Sequence, residues 1–492
     1  MHRRLLFLAC LAACQPVTSQ SAPAPDAPPA EGAASEGLPG LEAAGPVSAL
    51  PPLAADDAQK AQIAVDPVAP PPPENGSVQL ELTPQFAAIT DDVAEVNLRV
   101  RLTGAVVPGA RRPALDLALI LDRSGSMRGE KIRSVKAAGL ALVDALGPDD
   151  RVTLLSYADD VRTHAVMQPV DAEGRERLRA ALLAIDSGGG TALGPATFRG
   201  LDLLAGQNDG TRTRHVMLLS DGLANVGEQR PEILAARAAA AFRQGISFST
   251  LGVGLDYNED LMTRLADAGG GRYHFIQSGA AVARVLDDEL KGLVATVARQ
   301  VELDLQLASG TELIRVFGYP VVNDDGRPVV RVGSLGAGQV REVVVRLRLP
   351  ADRVGSLKLG GVGLRYLDLP ADAVQREAQA PIELSRAASA DAMRASENAE
   401  VSVRVSEVES AELMETAARA VDQGDFEHAR GTLKIALDDL RRKDGARPSA
   451  ALKAQIATME EADGEVEAAR SNESARKTYT KKFKSRAYDS MK

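Results

Sequence analysis

Asp122, Ser124 and Ser126 follow the apolar run Ala114-Leu115-Asp116-Leu117-Ala118-Leu119-Ile120-Leu121. That pattern reads as a buried strand delivering one carboxylate and two hydroxyls to its carboxyl end, just before a helix. Two further oxygen donors stand downstream. Thr191 follows Gly188-Gly189-Gly190, and Asp221 ends a second apolar run, His215-Val216-Met217-Leu218-Leu219-Ser220, just before Gly222. Oxygen-only donors suit a hard divalent cation, and Mg2+ takes near-octahedral oxygen ligands at about 2.0–2.1 Å. The hydroxyls are neutral and only the two aspartates are anionic. A cation held this way stays electrophilic and can accept a further carboxylate.

Other chemistries need different spacings. An isolated Asp-x-Ser-x-Ser also serves as a helix N-cap, because Asp and Ser side chains accept from the free N–H groups of a first turn. A phosphate-binding P-loop needs Gly-x-x-x-x-Gly-Lys-Ser/Thr. Here Gly125 and Gly129 are one residue too close, and Glu130 separates Gly129 from Lys131. A nucleophile elbow needs Gly-x-Ser-x-Gly, whereas Gly125-Ser126-Met127-Arg128-Gly129 puts the serine second. A haloacid-dehalogenase-like phosphatase needs a second Asp two residues after the first, where Ser124 stands.

Taken in order, Asp122-x-Ser124-x-Ser126, Thr191 and Asp221 resemble the metal-ion-dependent adhesion site of the von Willebrand factor type A domain. The resemblance implies that these five residues hold Mg2+ (or Mn2+ or Ca2+). It also implies a protein partner that presents an acidic side chain, and binding rather than catalysis. An accessory subunit of an enzyme or ATPase complex, or a metal-dependent hydrolase, remains the alternative.

The elements that must position these residues follow from patterning. Strands and helices alternate through residues 113–297. Arg151–Tyr157 and Ile246–Val253 are apolar runs, with helical stretches such as Lys131 to Leu146 and Glu173 to Ile185 between such runs. This predicts a doubly wound α/β sheet, whose ligands bind beyond the carboxyl ends of the strands. The segments Thr250–Met262 and Leu265–Tyr273 are similar to bacterial type A domain proteins. Asp256, Glu259 and Asp260 lack the Asp-x-Asp/Asn-x-Asp/Asn-Gly calcium-loop pattern. Asn258 instead reads as the cap of a helix whose acidic first turn suits the helix dipole.

Period-two alternation in Val78–Leu82, Ala94–Leu102, Val301–Leu307 and Val340–Leu347 predicts half-buried antiparallel strands. Residues 76–112 and 298–385 are therefore expected to form one β-sandwich into which the α/β domain is inserted. Leu313–Pro320 and Ser334–Gly338 are similar to the matching region of bacterial proteins resembling inter-alpha-trypsin-inhibitor heavy chains and calcium-activated chloride-channel regulators. Residues 386–470 read as helical. Gly424-Asp425-Phe426-Glu427-His428-Ala429, then Leu433 and Ala436, fit either one tetratricopeptide-like repeat or a helical hairpin turning at Gly424. Residues 471–492, basic with interleaved aromatics, read as a solvated tail, with contact to anionic lipid or an acidic partner as the alternative. His215 and His274 read as strand packing residues, and no His-Glu-x-x-His spacing occurs.

The amino terminus predicts a compartment. A basic His2-Arg3-Arg4 and a short apolar stretch precede Leu11-Ala12-Ala13-Cys14, which resembles a bacterial lipobox. Residues 1–14 are then a lipoprotein signal ending at a lipidated Cys14. Gln15 rather than Asp after the cysteine points to the outer membrane, on its periplasmic or surface face. Pro and Ala dominate residues 15–75, which reads as an unfolded tether. Cys10 and Cys14 are the two cysteines, so the mature chain has no disulfide. A net charge of −10 argues against a nucleic-acid partner, and 3% aromatic content with no Trp argues against a carbohydrate-stacking surface.

Overall fold

Hydrophobicity on both sides of a strand is the mark of a sheet covered on two faces, and the run ending at Asp122 has it. The structure is a computed structural model that describes residues 76–108, 112–206, 212–350 and 356–492. Cys14, the signal and the tether lie outside the described residues.

The chain begins with β1 (Val78–Pro84), β2 (Ala88–Ile89) and β3 (Glu95–Gly104), then enters the α/β region. That region runs β4 (Leu115–Asp122), α1 (Glu130–Ala145), β5 (Arg151–Tyr157), β6 (Val161–Pro169), α2 (Ala172–Leu183), α3 (Leu193–Ala205), β7 (Thr213–Ser220), α4 (Pro231–Arg243), β8 (Ile246–Val253), α5 (Glu259–Ala268), β9 (Gly270–Ile276) and α6 (Val282–Val294). Its sheet has the order β6-β5-β4-β7-β8-β9, parallel except for the antiparallel edge strand β6. Leu115, Leu117, Leu119 and Leu121 face one buried layer with α1, α2 and α6. Ala118 and Ile120 face the other, with α3, α4 and α5. The fold is mixed α/β with a parallel core, as the alternation implies.

Seven further strands follow: β10 (Thr296–Leu307), β11 (Glu312–Val316), β12 (Val321–Asp324), β13 (Arg327–Gly336), β14 (Val340–Arg348), β15 (Leu357–Asp368) and β16 (Val374–Arg386). They complete two sheets, β1-β3-β14-β11 and β12-β13-β10-β15-β16-β2. Strands from before and after the α/β region thus hydrogen-bond together, β3 against β14 and β2 against β16. Val100, Leu102, Val343, Val345, Leu303 and Leu364 share the core between the two sheets.

The rest is helical: α7 (Ala390–Ala395), α8 (Ala399–Asp422), α9 (Phe426–Ala446), α10 (Ala450–Arg470) and α11 (Glu473–Met491). Helices α8 to α11 pack in sequence and α11 returns against α8, closing a four-helix bundle over Phe317 and Val344 of the first sheet. Gly424, at φ +80, turns α8 into α9, which is the helical hairpin of the two readings, and α10 and α11 extend it into the bundle.

One expectation is corrected outright. Residues 471–492 are not a solvated tail but helix α11. Tyr479, Phe483, Ala487 and Met491 recur every four residues, are buried, and supply its bundle face. Tyr488 turns instead into the core of the α/β domain. The basic residues between them find acids on that domain. Lys477 lies 3.1 Å from Asp256 and Lys484 lies 3.3 Å from Asp260, while Lys481 Nζ donates to the Tyr257 carbonyl at 3.0 Å. Charge density marked the segment as surface, yet the period-four apolar row decides its packing. Among the described residues, no helix is long and apolar enough to cross a membrane.

Candidate metal centre

All five predicted donors gather at the carboxyl ends of β4 and β7. Asp122 ends β4 and is fully buried. Its Oδ1 accepts from the Ser124 backbone N–H at 2.8 Å, and its Oδ2 accepts from the Ser220 hydroxyl at 2.8 Å. Burial pushes the Asp122 carboxyl above its ordinary range, and the nearby Asp221 charge adds to the push. The bonds from Ser124 and Ser220 oppose it. Asp221 is also fully buried. Its Oδ1 accepts from the Ser126 hydroxyl at 2.7 Å, and its Oδ2 accepts from Lys131 Nζ at 2.5 Å. Ser124 Oγ and Ser126 Oγ are 3.0 Å apart. Ser126 alone of the five is exposed, so the group opens to solvent on its side.

Thr191 arrives from a third loop, and hydrogen bonds hold that loop in place. Gly188 N–H donates to the Arg123 carbonyl at 2.7 Å, and Gly125 N–H donates to the Gly189 carbonyl at 2.9 Å. Gly189 has φ +90, and a Cβ there would sit 2.2 Å from Asp159 Oδ2. Both facts restrict the position to glycine. Thr191 N–H donates to Asn225 Oδ1 at 2.7 Å, and Asn225 N–H returns a bond to the Thr191 carbonyl at 3.1 Å. A Cβ on Gly222 would lie 3.4 Å from both Ser126 Oγ and Thr191 Oγ1. The bare glycine backbone leaves a small space bounded by these hydroxyls.

The donor set fits a hard divalent cation. It is all oxygen, two members are buried carboxylates, and one contact to Asp221 is already cationic through Lys131. Among the described residues, no three His, Cys, Asp or Glu side chains converge as a metal cluster. A metal at Asp122 would therefore depend on hydroxyl and water oxygens for most of its shell.

Sequence reasoning missed Lys131, Ser220 and Asn225, which support the donors from 90, 98 and 34 residues away from their partners. Lys131 was visible only as the start of a helical stretch and as the lysine that Glu130 separates from Gly129. Asn258 caps α5, its side chain accepting from Leu261 N–H at 3.0 Å. His215 and His274 lie in β7 and β9, where His274 Nε2 is 2.7 Å from Glu289 Oε1.

Residues 116–288 match the family described as von Willebrand factor type A domain. The chain carries a von Willebrand factor type A domain. It is 29% identical over 259 residues to the uncharacterized protein YfbK of Escherichia coli strain K12, covering 50% of this chain and 44% of that protein. It is 27% identical over 179 residues to human inter-alpha-trypsin inhibitor heavy chain H4, covering 35% of this chain and 19% of that one. This chain thus matches less than half the length of either relative. A solved structure titled von Willebrand factor type A from Catenulispora acidiphila superposes with a TM-score of 0.64 at 18% identity, over 80% of this chain and 89% of that one. The shared fold therefore reaches beyond the type A domain into the flanking strands and helices. Type A domains generally act as noncatalytic modules that bind proteins.

Proposed function

We propose that this protein is a metal-dependent protein-binding module of the bacterial cell envelope, tethered by lipid on Cys14. The observation that carries the reading is the convergence of Asp122, Ser124, Ser126, Thr191 and Asp221 from three loops at one solvent-open point. Those residues would hold Mg2+ or a similar ion, which when bound supplies an electrophilic position for a carboxylate. The protein's own part is to fix the oxygens. Ser220 and the Ser124 backbone orient Asp122, Lys131 orients Asp221, and Asn225 orients Thr191.

The same bonds favour binding over hydrolysis. Both oxygens of Asp122 and both of Asp221 already accept hydrogen bonds. Neither carboxylate is placed as a general base for an attacking water. The partner is an acidic group on another protein. Its capture should need Mg2+, fail in chelator, and fail with Asp221→Ala, while an ester and phosphoester panel shows no turnover. Metal-independent capture of the same partner would overturn the reading. Lipidation is tested by mass spectrometry of the mature amino terminus, where a diacylglycerol-modified Cys14 is expected and an unmodified terminus beyond it would refute the anchor.

A further inference from the structure

Three cations flank the donors of the first loop: Arg123, Arg128 and Lys131. Two of them are paired. Arg123 meets Asp160, and Lys131 meets Asp221 at 2.5 Å. Arg128 forms no side-chain hydrogen bond and no ion pair among the described residues.

Its neighbours fix its place. Met127 is fully buried, whereas Ser126 before it and Arg128 after it are exposed. Ser126 and Arg128 therefore emerge on the solvent side of the loop. Arg128 Nη2 lies 3.9 Å from the point where a Cβ on Gly188 would sit. Gly188 opens the glycine run that delivers Thr191, and that run is bonded to the first loop through the Gly125 N–H and the Gly189 carbonyl at 2.9 Å. The guanidinium thus stands at the rim of the metal centre. Asp159 also meets the glycine run, its Oδ1 accepting from Gly190 N–H at 2.7 Å, but it forms no ion pair with Arg128.

Like charges repel, so a guanidinium at this rim opposes a divalent ion rather than holding it. Its charge suits the anion that the metal recruits. One partner carboxylate balances the metal and Lys131 against Asp122 and Asp221, and the charge of Arg128 then remains unanswered. A planar guanidinium takes a carboxylate through two parallel N–H bonds, which makes it selective as well as attractive.

Resting on the metal-dependent reading above, we propose that Arg128 is a second anchor for the partner, its guanidinium taking a second carboxylate while the metal takes the first. The partner is then a segment that carries two acidic residues close together. Gly188 and Thr191 are three residues apart, at most about 10 Å of chain. A second acid within about three residues of the first spans that distance in an extended partner.

The test is fluorescence anisotropy of labelled peptides, all glycine except for one Asp, or for two Asp spaced one to three residues apart. They are titrated with the full chain in saturating Mg2+. The best two-Asp peptide should bind at least tenfold more tightly than the one-Asp peptide, and chelator should abolish both. Arg128→Gln should cut that gain to less than twofold. Arg128→Lys, which keeps the charge but loses the fork, should keep only part of it. A Mg2+ titration of each variant checks that the metal centre is intact. A second Asp that gains nothing while Mg2+ still binds would overturn the second anchor and leave the metal reading standing. A gain that survives whole in Arg128→Gln or Arg128→Lys would also overturn it, because general charge attraction would then explain the preference. A wild-type chain that binds no Mg2+ would remove both readings.

Discussion

Lys131 Nζ stands 2.5 Å from Asp221 Oδ2 and belongs to α1, the helix that follows the donors of the first loop. The protein thus places its own cation against one of the two buried carboxylates of the metal centre. Without a metal, that ammonium is the chief compensation for a fully buried charge. With one, ammonium and metal share the carboxylate.

Lys131→Met should therefore lower stability most when metal is absent. Removing one partner of a buried pair costs about 3–5 kcal/mol. Lys131 is itself 31% exposed, so a loss of about 1–3 kcal/mol is expected after allowing for solvent screening. Saturating Mg2+ should restore much of it by linkage. Thermal melts in chelator and in Mg2+ decide this. An equal loss in both conditions would separate Lys131 from the metal site.

Helix α11 should be structural. Phe483 is fully buried in the bundle core, and Phe483→Ala should cost about 3–5 kcal/mol. Tyr488→Phe removes a hydroxyl that donates to Asp267 at 3.0 Å and should cost about 1 kcal/mol. Denaturant unfolding measures both. A wild-type midpoint for Phe483→Ala would return the segment to the solvated tail its charges suggest.

Glu259 opens α5 beneath α11, and burial raises its carboxyl to about 7, with Lys484 and Lys481 opposing. A raised carboxyl means the folded state holds a proton that the unfolded state has lost, so stability falls as pH rises from about 4.5 to about 7. His215, depressed to about 4, acts in the opposite direction, adding stability as pH rises from 4 toward 6.5. The two slopes overlap, so the difference between wild type and Glu259→Gln is the informative quantity. The variant should gain on the wild type between pH 5 and 8. A constant difference across that range would contradict a raised Glu259.

Much of this was legible in sequence because local pattern and global placement agreed. Asp122 and Asp221 announce themselves as the ends of apolar runs, since strands buried on both faces carry no alternation to confuse their limits. Thr191 is flagged by three glycines, one of which needs its positive φ. What escaped was pairing over distance. Nothing near Lys131 says that its charge meets Asp221, and nothing near Asn225 says that it brackets Thr191. The basic run of α11 hid Tyr479, Phe483, Ala487 and Met491, because the charges are contiguous while the apolar residues emerge only at helical period. Its complement, Asp256 and Asp260, had already drawn notice without a partner to explain it.

The most direct test of the central claim is Mn2+ and Mg2+ titration of the wild-type protein beside Thr191→Val. That substitution removes one hydroxyl and keeps the side chain's shape, while the Thr191 backbone bonds to Asn225 remain. One divalent ion should bind per chain, and Thr191→Val should weaken it at least tenfold, about 1.4 kcal/mol. A wild-type protein that binds no divalent ion, or a Thr191→Val protein that binds it equally well, would contradict the assignment of these residues as a metal centre.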